Sequence, residues 1–314
     1  MAANAILSAR QVKGRIFHEI QNIDDGWLTP VAGPVLSTDQ NQEQYAGVGA
    51  APPMTVWAGS RKSADYRTIS YTITNEKFET SVRIPVDDLF TDKTDRLRPY
   101  ISSLSSRYNE HWIQLVGTLI NNGATAGNNS YDGVTFFNAT HAEGSSGNQS
   151  NLLTSAAAGA TVTVSEAEAA ITQSIAAIVG FKDDQGRPIN RDKRNFVIVV
   201  PIAIMWTAAA AIKAPLIGDA NGAARSNIFA AWANFSITLV PSPDVANVSK
   251  GAFFTFAADG RAFIRQEDPN RFKISSLEDG SDVAFREDMY EYGIKAVRNA
   301  GYGAWQSACR YVYT

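Results

Sequence analysis

The sequence is short of the residues that make secreted, metal-binding or membrane-spanning proteins. It has a single cysteine, Cys309, in 314 residues, which excludes an internal disulfide and any multi-cysteine metal site. A lone thiol suits a reducing compartment. The histidines, His18, His111 and His141, are too scattered for the usual zinc-ligand spacing. No apolar run approaches the roughly 20 residues needed to cross a bilayer. The opening MAANAILSARQVKGRIF also lacks the apolar core of a secretory signal. Basic residues form no stripe and the net charge is −3, which argues against a sequence-specific DNA reader. A weakly acidic protein is still able to enclose DNA, because lining a container needs no tight grip on phosphate.

Reactive constellations are equally thin. The one glycine fingerprint, Gly47-Val48-Gly49-Ala50-Ala51, is followed by Pro52-Pro53, which block the helix a phosphate loop requires. Asp87-Asp88, Asp183-Asp184, Glu267-Asp268 and Glu278-Asp279 are adjacent carboxylates. Neighbours along a strand point to opposite faces, so these pairs are expected to be solvated turn or cap residues. No serine sits in a Gly-x-Ser-x-Gly elbow. His111 is expected to pack or face solvent on a helix, and His141 to precede an exposed loop. No catalytic, cofactor-binding or metal-ligating residue is therefore expected, and the chain does not read as an enzyme.

What the sequence does contain is architecture. Apolar residues make up 45% and charged residues 19%, enough for a sizeable core in one large or two modest domains. Residues 1–56 are punctuated by Gly26, Pro30, Gly33, Pro34, Gly47 and Gly49 and read as an extended arm, a disordered tail being the alternative. Over 66–86, Ile69, Tyr71 and Ile73, then Phe78, Thr80, Val82, Ile84 and Val86, alternate with polar residues around Asn75-Glu76-Lys77. That pattern predicts a long β-hairpin, lying either on its own domain or on a second copy. Residues 95–121 predict a long helix. Its buried face is Leu97, Ile101, Leu104, Tyr108, Trp112, Leu115 and Leu119, and Asn122-Gly123 stop it.

Beyond it lies an α/β stretch over about 160–250. Ser165 and Glu168 predict a capping box, and FVIVV (196–200) and FSITLV (235–240) predict strands buried on both faces. Residues 214–227 predict a mobile loop. FFTFAA and RAFIRQ around Asp259-Gly260 predict a second hairpin. The fold class is α+β with an α/β insertion.

Several blocks carry a family resemblance. They are Trp57-x-Gly59-x-Arg61, YTITNEKFETSV (71–82), YDGVTFFNATH (131–141), Tyr292-Gly293-Ile294, and Arg298-Asn299-Ala300-Gly301-Tyr302-Gly303-x-Trp305-Gln306-x-Ala308. In this order they resemble the Mu-like phage major head subunit, or gpT, family, with a departure at PVDDLFTD after the hairpin. The resemblance implies the Hong Kong 97-like phage capsid fold. It implies an N-arm (1–56), an E-loop β-hairpin (57–92), a P-domain (93–158, with spine helix 95–121), an A-domain (159–252) and P-domain strands (253–314).

It further implies a major capsid protein that self-assembles as pentamers and hexamers into an icosahedral head around double-stranded DNA, assembled in the host cytoplasm and resident in the virion. Implied partners are further copies of the chain, a portal protein, a decoration protein and DNA bound without sequence specificity. Only about 56 residues precede the E-loop, so a separate scaffolding protein is expected. Trp57, Arg61, Lys62, Arg67, Lys77 and Glu79 would make E-loop contacts with the adjacent subunit, and Asp219, Asn221 and Arg225 would face the capsomer centre. A Lys62–Asn299 or Lys77–Asn299 covalent crosslink is a further option of the fold. The rival readings are an encapsulin-like nanocompartment shell, marked by enzyme cargo, and a soluble enzyme, marked by a pocket of clustered titratable groups.

Overall fold

The computed structural model describes residues 9–21, 26–48, 56, 57, 59, 68–91, 97–218, 223–231 and 235–314. Helices α1 (Ala9–Gln21) and α2 (Leu28–Ala32) precede strands β1 (Leu36–Ser37), β2 (Gln42–Val48), β3 (Thr68–Thr74) and β4 (Glu76–Pro85). Helix α3 (Val86–Thr91) leads to the long α4 (Leu97–Asn122), then to β5 (His141–Ala142), β6 (Asn148–Gln149) and β7 (Leu152–Ser155). Next come α5 (Val164–Gly180), β8 (Asn195–Pro201), α6 (Met205–Lys213), β9 (Leu216–Gly218), β10 (Ala224–Ser226), α7 (Ile228–Ala231) and β11 (Ser236–Ser242). The last elements are β12 (Gly251–Ala257), β13 (Phe263–Glu267), β14 (Lys273–Leu277), α8 (Asp282–Glu287), β15 (Met289–Tyr302) and β16 (Ala308–Tyr313).

Two five-stranded sheets form the body. One runs β11-β8-β12-β16-β7. Its FVIVV strand is enclosed on both faces, as the unbroken apolar run predicts. FSITLV, expected to be buried likewise, is the edge strand β11 and only half-covered. The expected boundary at 252 falls inside β12, which pairs with β8 and β16 and completes the α/β layer. In the other sheet, β15 carries β13 and β14 along one side and β4 along the other.

Helix α4 binds the two layers. Its first half buries Leu97, Ile101, Leu104 and Tyr108 in a small core with Val12 and Ile16 of α1 and Ile84, Tyr292 and Ile294 of the sheet. Its second half buries Trp112, Val116 and Ile120 in the main core beside α2, α5 and β12. The expected face drifts here, because spacing by fours replaces the expected step to Leu115 and Leu119. Those two leucines are only partly buried, though packed against the core. At ~1.5 Å per residue the 26-residue helix is roughly 40 Å long.

Both predicted hairpins prove to be corners. The strands either side of Asn75 do not pair with each other: β3 pairs with β2, and β4 pairs with β15. The inward face shifts from odd positions (Tyr71, Ile73, Asn75) to even ones (Phe78, Thr80, Val82, Ile84) across that residue. Strands flanking Asp259-Gly260 likewise enter different sheets, β12 in one and β13 in the other. Asp259 and Arg261 take positive φ of 61° and 50°, and Gly260 lies so close to Ser307 that no side chain would fit. This turn therefore switches layers where a hairpin was expected.

Other expectations shift locally. Thr163 and Glu166 form the capping box of α5, two residues ahead of the predicted pair. Asp87 and Asp88 do lie in the first turn of α3. Glu267 and Asp268, expected in solvent, are largely buried, Glu267 accepting from Tyr108 Oη at 2.5 Å and Asp268 from Arg271 Nε at 2.5 Å. The arm is not extended over its described length. Val12, Ile16, Leu28 and Val31 are fully covered by the body, β1 joins β13, and β2 forms half of a ribbon with β3.

Gly301 lets that ribbon sit down. A Cβ there would lie 2.6 Å from Ile73 Cγ1. Gly301→Ala is expected to destabilise the fold by about 1–3 kcal/mol through overpacking. Combined with Ile73→Ala, the loss should be clearly smaller than the sum of the two single changes, read as a urea-unfolding double-mutant cycle. Strict additivity would dissociate the two positions.

Candidate functional site

The β2–β3 ribbon runs in register from Gln42↔Thr74 to Val48↔Thr68. Gln42, Gln44, Ser70, Thr72 and Thr74 face solvent, whereas Glu43, Tyr45 and Tyr71 are half-covered and Ile73 is buried. Its root is fixed by amides. Gln266 Nε2 donates to Asn75 Oδ1 at 2.9 Å and to Ile73 O at 3.2 Å. Asn75 Nδ2 donates to Gln40 O at 3.0 Å, and Asn299 Nδ2 to Thr74 O at 2.7 Å. Tyr45 Oη donates to Gln266 Oε1 at 2.7 Å. Burial, and then the Glu43 charge, push the Tyr45 phenol up to about 12, so it stays a donor at any physiological pH.

Beneath the ribbon lies a buried polar node built from the 131–141 and 298–308 blocks. The Tyr71 and Tyr131 rings are 6.4 Å apart. Tyr131 Oη donates to Glu143 at 2.7 Å and accepts from Gln306 Nε2. His141 is fully buried, although the loop that follows it is mostly exposed, as expected, with only Glu143 covered. Its Nδ1 lies 2.6 Å from Asp132 Oδ2, and its Nε2 lies 3.2 Å from both Phe136 O and Asn151 Oδ1. Asn138 N donates to that same Asn151 oxygen at 2.8 Å, which fixes the amide's orientation. His141 thus faces three acceptors, one at Nδ1 and two at Nε2. It stacks on Trp305, with centroids 4.1 Å apart and planes 6° from parallel. The sequence signal was an Asp and a His nine residues apart around a buried Phe-Phe, but the partner Trp305 lies far along the chain.

The expected contact residues separate into groups. Trp57 is 67% exposed. Arg61, Lys62, Arg67, Asp219 and Asn221 lie outside the described residues. Lys77 and Glu79 are exposed on β4, within the body's own sheet rather than on the ribbon, and Glu79 is registered opposite Lys295. Arg225 grips Glu168, a buried carboxylate on α5, with Nη1–Oε1 at 3.0 Å and a second Nη2–Oε2 contact. Such bidentate geometry holds the β9–β10 hairpin to the body; the segment expected to be a mobile loop contains this clamp. Asn299 spends both ends of its amide within the chain, on Thr74 O and Ala300 N, which weighs against the crosslink option.

His111 does pack, its ring 4.2 Å from that of Phe78. Burial, and then the Arg298 charge, hold it down at about 4. Among the described residues no group of three His, Cys, Asp or Glu side chains is placed to hold a metal, and no helix is long and apolar enough to cross a membrane. The surface offers large exposed apolar side chains instead: Val56 and Trp57, Ile202 and Trp206, and Phe285 at 90% exposure.

A spine helix binding two sheets, with a ribbon rooted at their edge, is the Hong Kong 97-like phage capsid fold. The procapsid of bacteriophage JBD30 matches 98% of this chain and 75% of its own, with 18% identity and a TM-score of 0.51. The mature capsid of bacteriophage PhiM1 matches 93% and 88%, with 11% identity and a TM-score of 0.57. Within that class, the profile of the Mu-like prophage major head subunit gpT matches residues 14–167, just under half of the chain. The Mu-like prophage FluMu major head subunit of Haemophilus influenzae is 32% identical over 117 residues, 37% of each chain. The chain thus aligns with just over a third of that relative's length.

Two outcomes follow from the buried groups. His141→Phe strands the Asp132 carboxylate and is expected to lose about 3–5 kcal/mol of stability, with Asp132→Asn losing less because the amide oxygen still accepts. Urea unfolding followed by tryptophan fluorescence measures both. For His111, the folded pKa of about 4 lies below the unfolded value of ~6.5. The unfolded chain therefore binds more protons between these values, and stability conferred by the neutral ring is lost as pH falls from about 6.5 towards 4. Glu267, raised by burial, acts with the opposite sign, so the comparison is wild type against His111→Phe. The variant should show the shallower acid decline in melting temperature.

Proposed function

We propose that this chain is the major capsid protein of a Mu-like phage or prophage head. The observation that carries the reading is a gpT-profile match on a capsid fold whose ribbon stands on an amide-locked root. Two seven-residue strands give the ribbon roughly 23 Å of reach at ~3.3 Å per residue, and residues 49–67 join them. Copies assemble as pentamers and hexamers into an icosahedral shell in the host cytoplasm, with the ribbon crossing to the adjacent subunit and the β9–β10 hairpin turned to the capsomer centre. Single surface ion pairs contribute ~0–1 kcal/mol each, so apolar area summed over many contacts dominates shell stability.

Double-stranded DNA is the cargo, held without sequence specificity. A separate scaffolding protein, a portal and a decoration protein complete the head. The chain acts by binding its own copies, not by catalysis. The fold alone does not say what a shell encloses; the gpT match favours phage DNA over the protein cargo of a nanocompartment.

Expression of the chain with and without its neighbouring scaffold gene, followed by negative-stain microscopy and sedimentation, is expected to yield closed particles. Strictly monomeric protein under both conditions would defeat the proposal, and particles filled with an enzyme would turn it towards the nanocompartment.

A further inference from the structure

Between α4 and strands β4 and β15 lies a cavity of about 300 Å³, at the lower end of the size range of small-molecule sites. Phe78 and Ile294 give it an apolar side, and Arg107, His111, Gln114 and Arg298 a side rich in N–H groups. Two of these side chains are short of acceptors. Arg298 Nε and Nη1, and His111 Nδ1, are buried and have no hydrogen-bond partner among the described residues. Of the guanidinium nitrogens only Nη2 is satisfied, by Tyr108 O.

The aromatic neighbours do not make up the deficit. The guanidinium carbon lies over the Tyr108 and Trp112 rings, contacts that favour its charge but bring no lone pair to its N–H groups. Buried donors left in this condition cost free energy until an acceptor arrives. His111 is held neutral by burial and then by the Arg298 charge, and a neutral imidazole still carries one N–H.

The surrounding charges decide what kind of acceptor fits. Arg107 is paired with Glu110 at 2.9 Å. Glu79 lies exposed at the rim, registered opposite Lys295. Glu267 is near enough to favour the Arg298 charge. One guanidinium therefore fronts the cavity among three acids. A dianion would meet more repulsion than attraction there, whereas a monoanion matches the single cation. The Phe78 and Ile294 wall then asks for an apolar body behind the charge.

We propose that this cavity binds a small monocarboxylate with an apolar or aromatic body, its oxygens accepting from Arg298 and His111 and its body lying against Phe78 and Ile294. The donors lie just beneath the cavity wall, and a side-chain shift of the kind common on binding brings them to the ligand. Such a ligand joins α4 to β4 and β15, so it stabilises the fold by mass action. The site belongs to the single chain and stands apart from the shell reading.

Radiolabelled benzoate is the probe, measured by equilibrium dialysis against the full chain, free or in particles. Saturable binding is expected. Benzyl alcohol, with the same ring and no charge, and sulfate, a dianion with no apolar body, should each compete about tenfold or more less well. Gln114 is exposed on α4 at the cavity wall, so changes there leave the core intact. Gln114→Lys should tighten benzoate about threefold and Gln114→Glu weaken it by about the same factor, the scale of one surface charge. His111→Phe keeps a ring against Phe78 but removes the donor, and should weaken binding about tenfold. His111→Gln, which restores an N–H, should retain more. Melting temperature gives a second readout, rising with benzoate in wild type and far less in His111→Phe. Absence of saturable binding, preference for sulfate or benzyl alcohol, or affinity indifferent to the Gln114 and His111 changes would overturn the site.

Discussion

The whole body turns on one enclosed guanidinium. Arg298, in the middle of β15, is 2% exposed and lies 4.1 Å from the Tyr108 ring and 4.7 Å from the Trp112 ring. Its Nη2 donates to Tyr108 O at 2.5 Å, so the long helix is tied to the sheet through its backbone as well as its side chains. A bare charge in this place would be costly. Two aromatic faces and the nearby Glu267 carboxylate, which itself accepts from Tyr108, offset that penalty. Another buried arginine, Arg265, reaches Gly33 O at 2.8 Å and brings the arm's α2 turn into the same arrangement. Helix, sheet and arm thus meet on cation–aromatic contacts, where geometry is far more restrictive than in an aliphatic core. One consequence is that the ribbon root, close to Arg298 on the neighbouring strands, inherits a fixed position.

How much of this was legible in the sequence depends on whether the signal was local. The spine helix was, because a 3.6-residue stripe needs no distant partner to be visible. FVIVV was too, because an unbroken apolar run leaves no polar face to turn towards water. The pairings were not. Asn75-Glu76 and Asp259-Gly260 both look like hairpin turns, yet each sends its two strands into different partners. In the first case the change of inward parity between Ile73 and Phe78 was present in the sequence, and a tight hairpin does not by itself demand that shift. In the second, the decisive fact is the closeness of Ser307 to Gly260, a residue remote in sequence. His141 illustrates the same limit. Its Asp132 partner is nearby, but burial comes from Trp305 and Asn151, and the exposed AEGSSGNQS loop that follows gives no sign of it. Family resemblance supplied the capsid fold that local patterns could not, while the alternation over 66–86 put Lys77 and Glu79 on a hairpin when they belong to β4.

The arm changes the physical picture of assembly. An extended strap would have to find its order on another copy, at the entropy cost of fixing each residue. Here much of that cost is met during folding: α1 buries Val12 and Ile16 against α4, and α2 buries Leu28 and Val31 in the main core. The described part of the arm is therefore scaffold for the ribbon rather than a strap in its own right.

A stiff root is what a projecting ribbon most needs if it is to meet another copy accurately. A lever of roughly 23 Å that pivots by about 10° carries its end through roughly 4 Å, more than the tolerance of a hydrogen bond. Asn75, Gln266, Asn299 and the Ile73–Gly301 contact hold the pivot from four directions, with amides on three sides and a close-packed methylene on the fourth. Amides suit this role because each both donates and accepts, so one side chain is able to satisfy two strands that end at the same place. Among the described residues the ribbon's outer edges pair with no further strand, and open edges invite indiscriminate strand pairing wherever their direction is free. Fixing the direction at the root removes most of those alternatives before a second copy arrives.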